Sequence, residues 1–154
     1  MRPRPRLAAT VWDDDQVLGE APEREIALRL WAEVARRLIG ESTPATVSID
    51  CDDADTEMRL RVAGYRPAEV DPPEGAEVVE SLTLEHDGPL GRLLDPVLRL
   101  PPEAPLGALA LADDRGVDLD LGSGLDVWGP GALAALRDAT EALGVDLLER
   151  SPQE

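Results

Sequence analysis

Residues 21–40, APEREIALRLWAEVARRLIG, constrain this chain more than any other stretch. Ala27, Leu30, Trp31, Val34 and Leu38 fall at i, i+3, i+4, i+7 and i+11, an apolar stripe along one side of a helix that has to be buried against something. Pro22 suits the first helical position, Glu23 and Glu25 occupy the first turn, and Arg36 and Arg37 the last, where each sign complements the helix dipole. Gly40 provides the C-terminal stop.

The surface to receive that stripe has to come from the alternating segments. LAATVW (7–12) reads as a first strand, with Leu7, Ala9 and Val11 on one face and Trp12 on the other, broken by DDDQ. SIDCDDADTEMRLRV (48–62) has Val47, Ile49 and Cys51 in alternation, then Met58, Leu60 and Val62. It reads as a hairpin that pairs Cys51 with Met58, Asp50 with Arg59 and Ser48 with Arg61, with Asp52–Glu57 as its acidic loop. VVESLTLEH (78–86) reads as a strand with Val78, Leu82 and Leu84 on one face. PLGRLLDPVLRL (89–100) has helical spacing that Gly91 and Pro96 interrupt, so short, broken helical turns are expected.

LGALALADDRGVDLDLGSG (106–124) reads as a second hairpin. Leu109 and Leu111 face Val117, Leu119 and Leu121 across an Asp-Asp-Arg-Gly turn, and LDVW adds a short strand. Pro130 opens a last helix with Leu133, Leu136, Thr140 and Leu143 on its stripe and Gly144 as its cap. Val145, Leu147 and Leu148 pack over that end or form an edge strand.

The expectation is an α+β fold, a mainly antiparallel sheet of about five to seven strands with two main helices packed on one face. Residues 1–5 form a flexible basic arm, 6–150 a single domain and 151–154 a tail. The Pro-rich segment 66–76 is a possible point of subdivision. A chain of 154 residues has length enough for one self-sufficient core.

Charge narrows the partners. Asp and Glu number 32 against 15 basic residues, all Arg, giving a formal charge of −17. That field repels phosphate backbones and anionic lipid, so direct nucleic-acid and membrane binding are not expected. Solubility and adaptation to salt account for such acidity as well as a basic partner does. No apolar run approaches the length of a membrane span, and too few apolar residues follow the N-terminal arginines for a signal peptide. One cysteine forms no internal disulfide, which fits a reducing compartment, so the expected location is cytoplasmic.

The chemical motifs fail one by one. In an EF-hand count from Asp50 the sixth position is Asp55 and the twelfth Arg61; from Asp53 they are Met58 and Gly64. Asp52, Asp53 and Asp55 in a looser divalent site compete with a solvated turn, which explains the same residues. Cys51, His86 and Asp87 supply the residue types of a thiol triad. Yet Cys51 sits on an apolar face beside acids that raise a thiol pKa, so a buried structural thiol is the plainer reading.

One His and one Cys do not build an ordinary zinc site. Gly122 and Gly124 lack the third glycine of a dinucleotide loop, and without Lys there is no phosphate-loop lysine. Gly129 and Gly131 lead into a helix N-terminus, a generic anion site in an unfavourable field. Asp118 and Asp120 project together from one strand face, as paired catalytic carboxylates or simply as the outward side of a hairpin. No catalytic residue, metal or cofactor is assigned.

The expected function is therefore that of a non-enzymatic acidic protein-binding domain, such as an immunity or antitoxin-type inhibitor or a chaperone, that meets a basic protein partner. Its expected partner-binding residues are Asp13, Asp14, Asp15, Asp52, Asp53, Asp55 and Glu57, with Trp12 and Trp128 as aromatic anchors if they are exposed, capping the core being the plainer role for both. The alternative is a small-molecule-binding or catalytic α+β domain with a pocket between sheet and helices; a third is a DNA mimic. Oligomeric state is left open.

Overall fold

A computed structural model describes residues 4–20, 23–68 and 82–152. Its elements are β1 (Arg6–Asp13), β2 (Gln16–Glu20), α1 (Arg24–Leu38), β3 (Pro44–Cys51), α2 (Ala54–Val62), β4 (Arg66–Pro67), β5 (Leu82–Pro89), α3 (Leu90–Leu98), β6 (Leu109–Ala112), β7 (Asp118–Leu121), β8 (Gly124–Trp128), α4 (Ala132–Leu143) and β9 (Asp146–Arg150). The nine strands form one mixed sheet in the order β4-β5-β3-β6-β7-β8-β2-β1-β9. Every pair is antiparallel except β1 with β9. The α+β class and the mainly antiparallel sheet agree with the sequence, but the described residues hold more strands and two more helices than it implied.

Register explains the two unlike faces. Leu84, Ile49, Leu109, Leu121 and Leu125 lie side by side across five strands, as do Val47, Leu111, Leu119, Val127 and Val17. These rows are buried together with the stripes of α1, α3 and α4 in one core. Trp31 lies at its centre, fully buried, with its indole N–H donating to the Leu119 carbonyl at 3.0 Å. The α1 stripe thus finds its sheet, and its one buried polar atom finds an acceptor. Pro22 and Val78 lie outside the described residues, as does most of the Pro-rich segment. Strands from either side of that segment interleave in the sheet, β3 lying between β5 and β6.

The hairpin across residues 47–62 is not formed. Cys51 pairs with Leu82 of β5, Asp50 with Thr83 and Ser48 with Glu85, while residues 54–62 coil into α2. The cause is local. Asp53 adopts extended dihedrals and its carboxylate accepts from the Thr56 N–H at 3.0 Å and the Thr56 hydroxyl at 2.8 Å, an N-cap that starts a helix. Asp55–Arg59 at 3.1 Å and Glu57–Arg61 at 3.7 Å then pair at i,i+4, acids toward the N-terminus. Only Thr56 and Leu60 are buried, so the alternation of Met58, Leu60 and Val62 is incidental: Met58 and Val62 face solvent.

Two further differences have physical reasons. Residues 90–98 form a continuous helix despite Pro96. Its first N–H groups donate to the Thr43 and Glu41 carbonyls at 3.0 and 2.9 Å, and Leu90, Leu93, Leu94 and Val97 are all buried, so packing outweighs the hydrogen bond that proline removes. QVLGE, unassigned in the sequence reading, is β2, hydrogen-bonded to β1 and β8. It meets β8 at two glycines: a Cβ on Gly124 would stand 2.5 Å from the Gly19 carbonyl, which is why that position has no side chain.

Candidate functional site

Among the described residues no helix covers the face of the sheet opposite α1, α3 and α4, and its cross-strand rows can be read from the register. One row runs Arg150, Thr10, Leu18, Asp126, Asp120, Ala110, Ser48, Glu85, Arg66. The next holds Gln16, Trp128, Asp118, Ala112, Thr46 and Asp87. Where the rows meet on β7 and β8, Asp120 faces Asp126 and Asp118 faces Trp128. Opposed side chains on neighbouring strands stand roughly 4.5–5.5 Å apart at Cβ, and i,i+2 neighbours about 6.5–7 Å along the strand. Three carboxylates and an indole thus share one small patch.

This patch works against the sheet's own stability. Like charges directly opposed across strands are destabilising. None of Asp118, Asp120 and Asp126 has a cation within ion-pair distance among the described residues. Burial, a hydrogen bond with Asp118 and the charges of Asp118 and Asp126 push Asp120 up from the ordinary 3.8 to about 6. Burial also raises Asp126. The described groups that face this trio from adjoining strands are Leu18, Ala110, Ala112 and Trp128, none of which carries a positive charge.

Trp128 is 47% exposed, and Trp12, at the irregularity that ends β1, is 55% exposed. Both strands end at the same side of the sheet, because Gln16 pairs with Trp128 on one side and with Asp13 on the other. Trp12 therefore lies at the same end of the sheet as Trp128, with β2 between them. The sequence carried a signal for this geometry. DLDLGSGLDVW is nearly palindromic about Ser123, and folding it there superimposes Leu121 on Leu125, Asp120 on Asp126 and Asp118 on Trp128.

The acidic loops that the sequence singled out are engaged elsewhere. Asp13 accepts from the Asp15 N–H at 2.8 Å. The Asp15 carboxylate accepts from the Gly131 N–H at 3.0 Å, and the Asp14 and Asp15 carbonyls take the Leu133 and Gly129 N–H groups at 3.0 and 2.9 Å. This turn fastens the N-terminus of α4, whose own N-cap, Gly131, has no side chain to do it. The same contacts occupy the anion site suggested by Gly129 and Gly131.

Asp53 caps α2, and Asp55 and Glu57 pair with Arg59 and Arg61. Asp52–Glu57 also follow the far end of β3, whose Thr46, five residues before Cys51, lies in the row of Trp128. By strand rise and strand spacing the two groups of acids are about 25 Å apart. They do not form one surface.

The thiol and imidazole are also separate. Cys51 is buried, its Sγ 3.4 Å from the Asp53 carbonyl, and burial together with the charges of Asp53, Glu57 and Asp52 pushes the thiol up. His86 pairs with Val47, four residues from Cys51, which separates them by about 13 Å along the strands. Its ring meets the buried Tyr65 edge-on at 5.2 Å. Among the described residues no group of three or more His, Cys, Asp or Glu side chains is placed to hold a metal ion. An open groove between α1 and the sheet is lined by Arg24, Leu28, Leu106, Leu109 and Leu121 and by no carboxylate. No helix among these residues is long and apolar enough to cross a membrane.

Comparison with protein families, with curated proteins and with solved structures found no match to this chain, so the geometry alone bears the functional reading.

Proposed function

We propose that the protein is a non-enzymatic binding protein whose open sheet face receives a basic partner, with Asp118, Asp120 and Asp126 as the charged centre and Trp128 and Trp12 as aromatic anchors. The observation that carries this reading is the cross-strand opposition of Asp120 and Asp126. Two uncompensated carboxylates in register cost the free protein stability, and a partner's guanidinium or ammonium removes that cost on binding. An exposed indole beside carboxylates adds cation–π attraction for the same groups. The overall charge of −17 attracts a basic molecule to the protein at long range. An immunity or antitoxin-type inhibitor of a basic protein, or a chaperone of one, works in this way.

A titration with an arginine-rich peptide, followed by NMR at the indole N–H signals of Trp12, Trp31 and Trp128, tests the reading. Trp128 and Trp12 are expected to shift while the buried Trp31 stays in place, with affinity falling as salt rises. Asp118→Asn/Asp120→Asn/Asp126→Asn should abolish the shifts, and Asp52→Asn/Asp55→Asn should leave them. Equal losses in both variants would reduce the interaction to net charge and refute a specific face.

A further inference from the structure

One edge of the sheet is β9. It ends the strand order and bonds only to β1, so its outer edge is open among the described residues. Unpaired strand edges of this kind template pairing with another chain.

Which peptide groups face outward follows from the ladder. The Asp146 N–H donates to the Pro5 carbonyl at 2.8 Å, while Asp146 pairs with Arg6 in parallel register. Peptide groups alternate in direction along a strand, so residues 146, 148 and 150 address β1 and Leu147 and Glu149 present theirs to the outside. An antiparallel strand arriving at this edge has to bond at Leu147 and Glu149. Positions 146, 148 and 150 then become the non-bonded sites, where facing side chains come closest.

The residues at those three sites, Asp146, Leu148 and Arg150, are complementary to their own reverse. A two-fold axis at Leu148 sets Leu148 against Leu148 of the second copy. It also sets Asp146 against the other copy's Arg150, and Arg150 against its Asp146. Leu148 is 44% exposed at this open edge, and such a pairing covers it. The present partners do not prevent this. Arg150 meets Glu20 at 3.7 Å and Asp146 meets Arg4 at 3.3 Å, both exposed ion pairs of little individual worth.

We propose that the protein forms a two-fold symmetric homodimer by antiparallel pairing of β9 with β9 of a second copy, centred on Leu148, with Asp146 and Arg150 exchanging ion pairs across the axis. The axis stands perpendicular to the sheet, so the two open faces look the same way. The edge is short and each copy carries −17, so the dimer is weak at low salt, where the charges repel over long distances; raising the salt screens that repulsion.

Sedimentation velocity of the full chain in about 0.3 M salt, from roughly 1 to 500 µM, tests the proposal. The wild type is expected to move from 16.5 kDa toward twice that mass as concentration rises. Arg150→Asp and Asp146→Arg each place like charges across the axis and should remain monomeric. The double variant Asp146→Arg/Arg150→Asp restores opposite charges and should dimerise again. A wild type that stays monomeric across the range overturns the proposal, as do single variants that dimerise like wild type. A folded double variant that stays monomeric overturns the register.

Discussion

Replacing Asp120 with Asn should stabilise the free protein near neutral pH. In the folded state burial, the hydrogen bond with Asp118 and the neighbouring charges of Asp118 and Asp126 hold the Asp120 carboxyl at about 6 rather than 3.8. A raised carboxyl pKa means that the folded state binds the proton more tightly than the unfolded state. The penalty is therefore absent below the ordinary value, grows as pH rises from 3.8, and is complete above about 6. At about 1.36 kcal/mol per pH unit the displacement sets a ceiling of ~3 kcal/mol. Asp120 is half-buried on an open face, so solvent screening and the charge shared with its neighbours reduce this to ~1–2 kcal/mol.

For a chain of this length that corresponds to about 3–6 °C in Tm. Thermal melts of wild type and Asp120→Asn between pH 4 and 8 provide the assay. Comparing the two proteins at each pH cancels the other carboxylates. The variant is expected to melt higher at pH 7–8, with the gap closing as pH falls toward 4. A gap that is absent at pH 8, or equal at every pH, would refute the electrostatic account of the patch. Under the proposed function the same substitution weakens capture of a basic peptide, so stability and binding move in opposite directions at one residue.

Two other outcomes follow from the geometry. Asp53→Ala removes the cap of α2 and should lower Tm by about 2–4 °C, while Asp53→Asn keeps most of it. Because the bonds from Thr56 hold the Asp53 carboxyl below its ordinary value, its contribution is present above that value and fades only as pH falls through the lowered one; melts of Asp53→Asn lack this dependence. Cys51, buried and with its thiol pushed up, should resist an aromatic disulfide reagent at pH 8 until denaturant opens the fold. Rapid labelling of the native protein, measured by absorbance, would contradict the buried position.

What could be read from the residues depended on whether the deciding interaction was local. The α1 stripe, the β6–β7 hairpin and the helix ending at Gly144 follow from periodicity and glycine placement, and the structure has all three. Residues 54–62 carry two conflicting patterns: the alternation of a strand, and three helix signals that prevail, namely the Asp53–Thr56 cap, acids before bases, and i,i+4 charge pairs. β2 offered little to read, since Val17 is its one buried side chain beyond glycine and its place comes from pairing with β1 and β8. For the candidate face, Asp118 and Asp120 were recognisable as neighbours on one strand side. Asp126 joins them only through the turn at Gly122–Gly124, and Trp12 only through β2. The loop acids are conspicuous as a run of letters, yet most are spent on caps and local ion pairs, which spacing alone does not reveal.

The parallel pairing of β1 with β9 has a kinetic consequence. Leu7 waits for Leu147, and Val17, on the neighbouring strand, waits for Val127. Nearly the whole polypeptide must be threaded into place before the first hairpin acquires its flanking strands. Closing loops of that length is entropically costly and slows the search, so refolding is expected to be gradual, with one flank of β1 bare until the last strand docks.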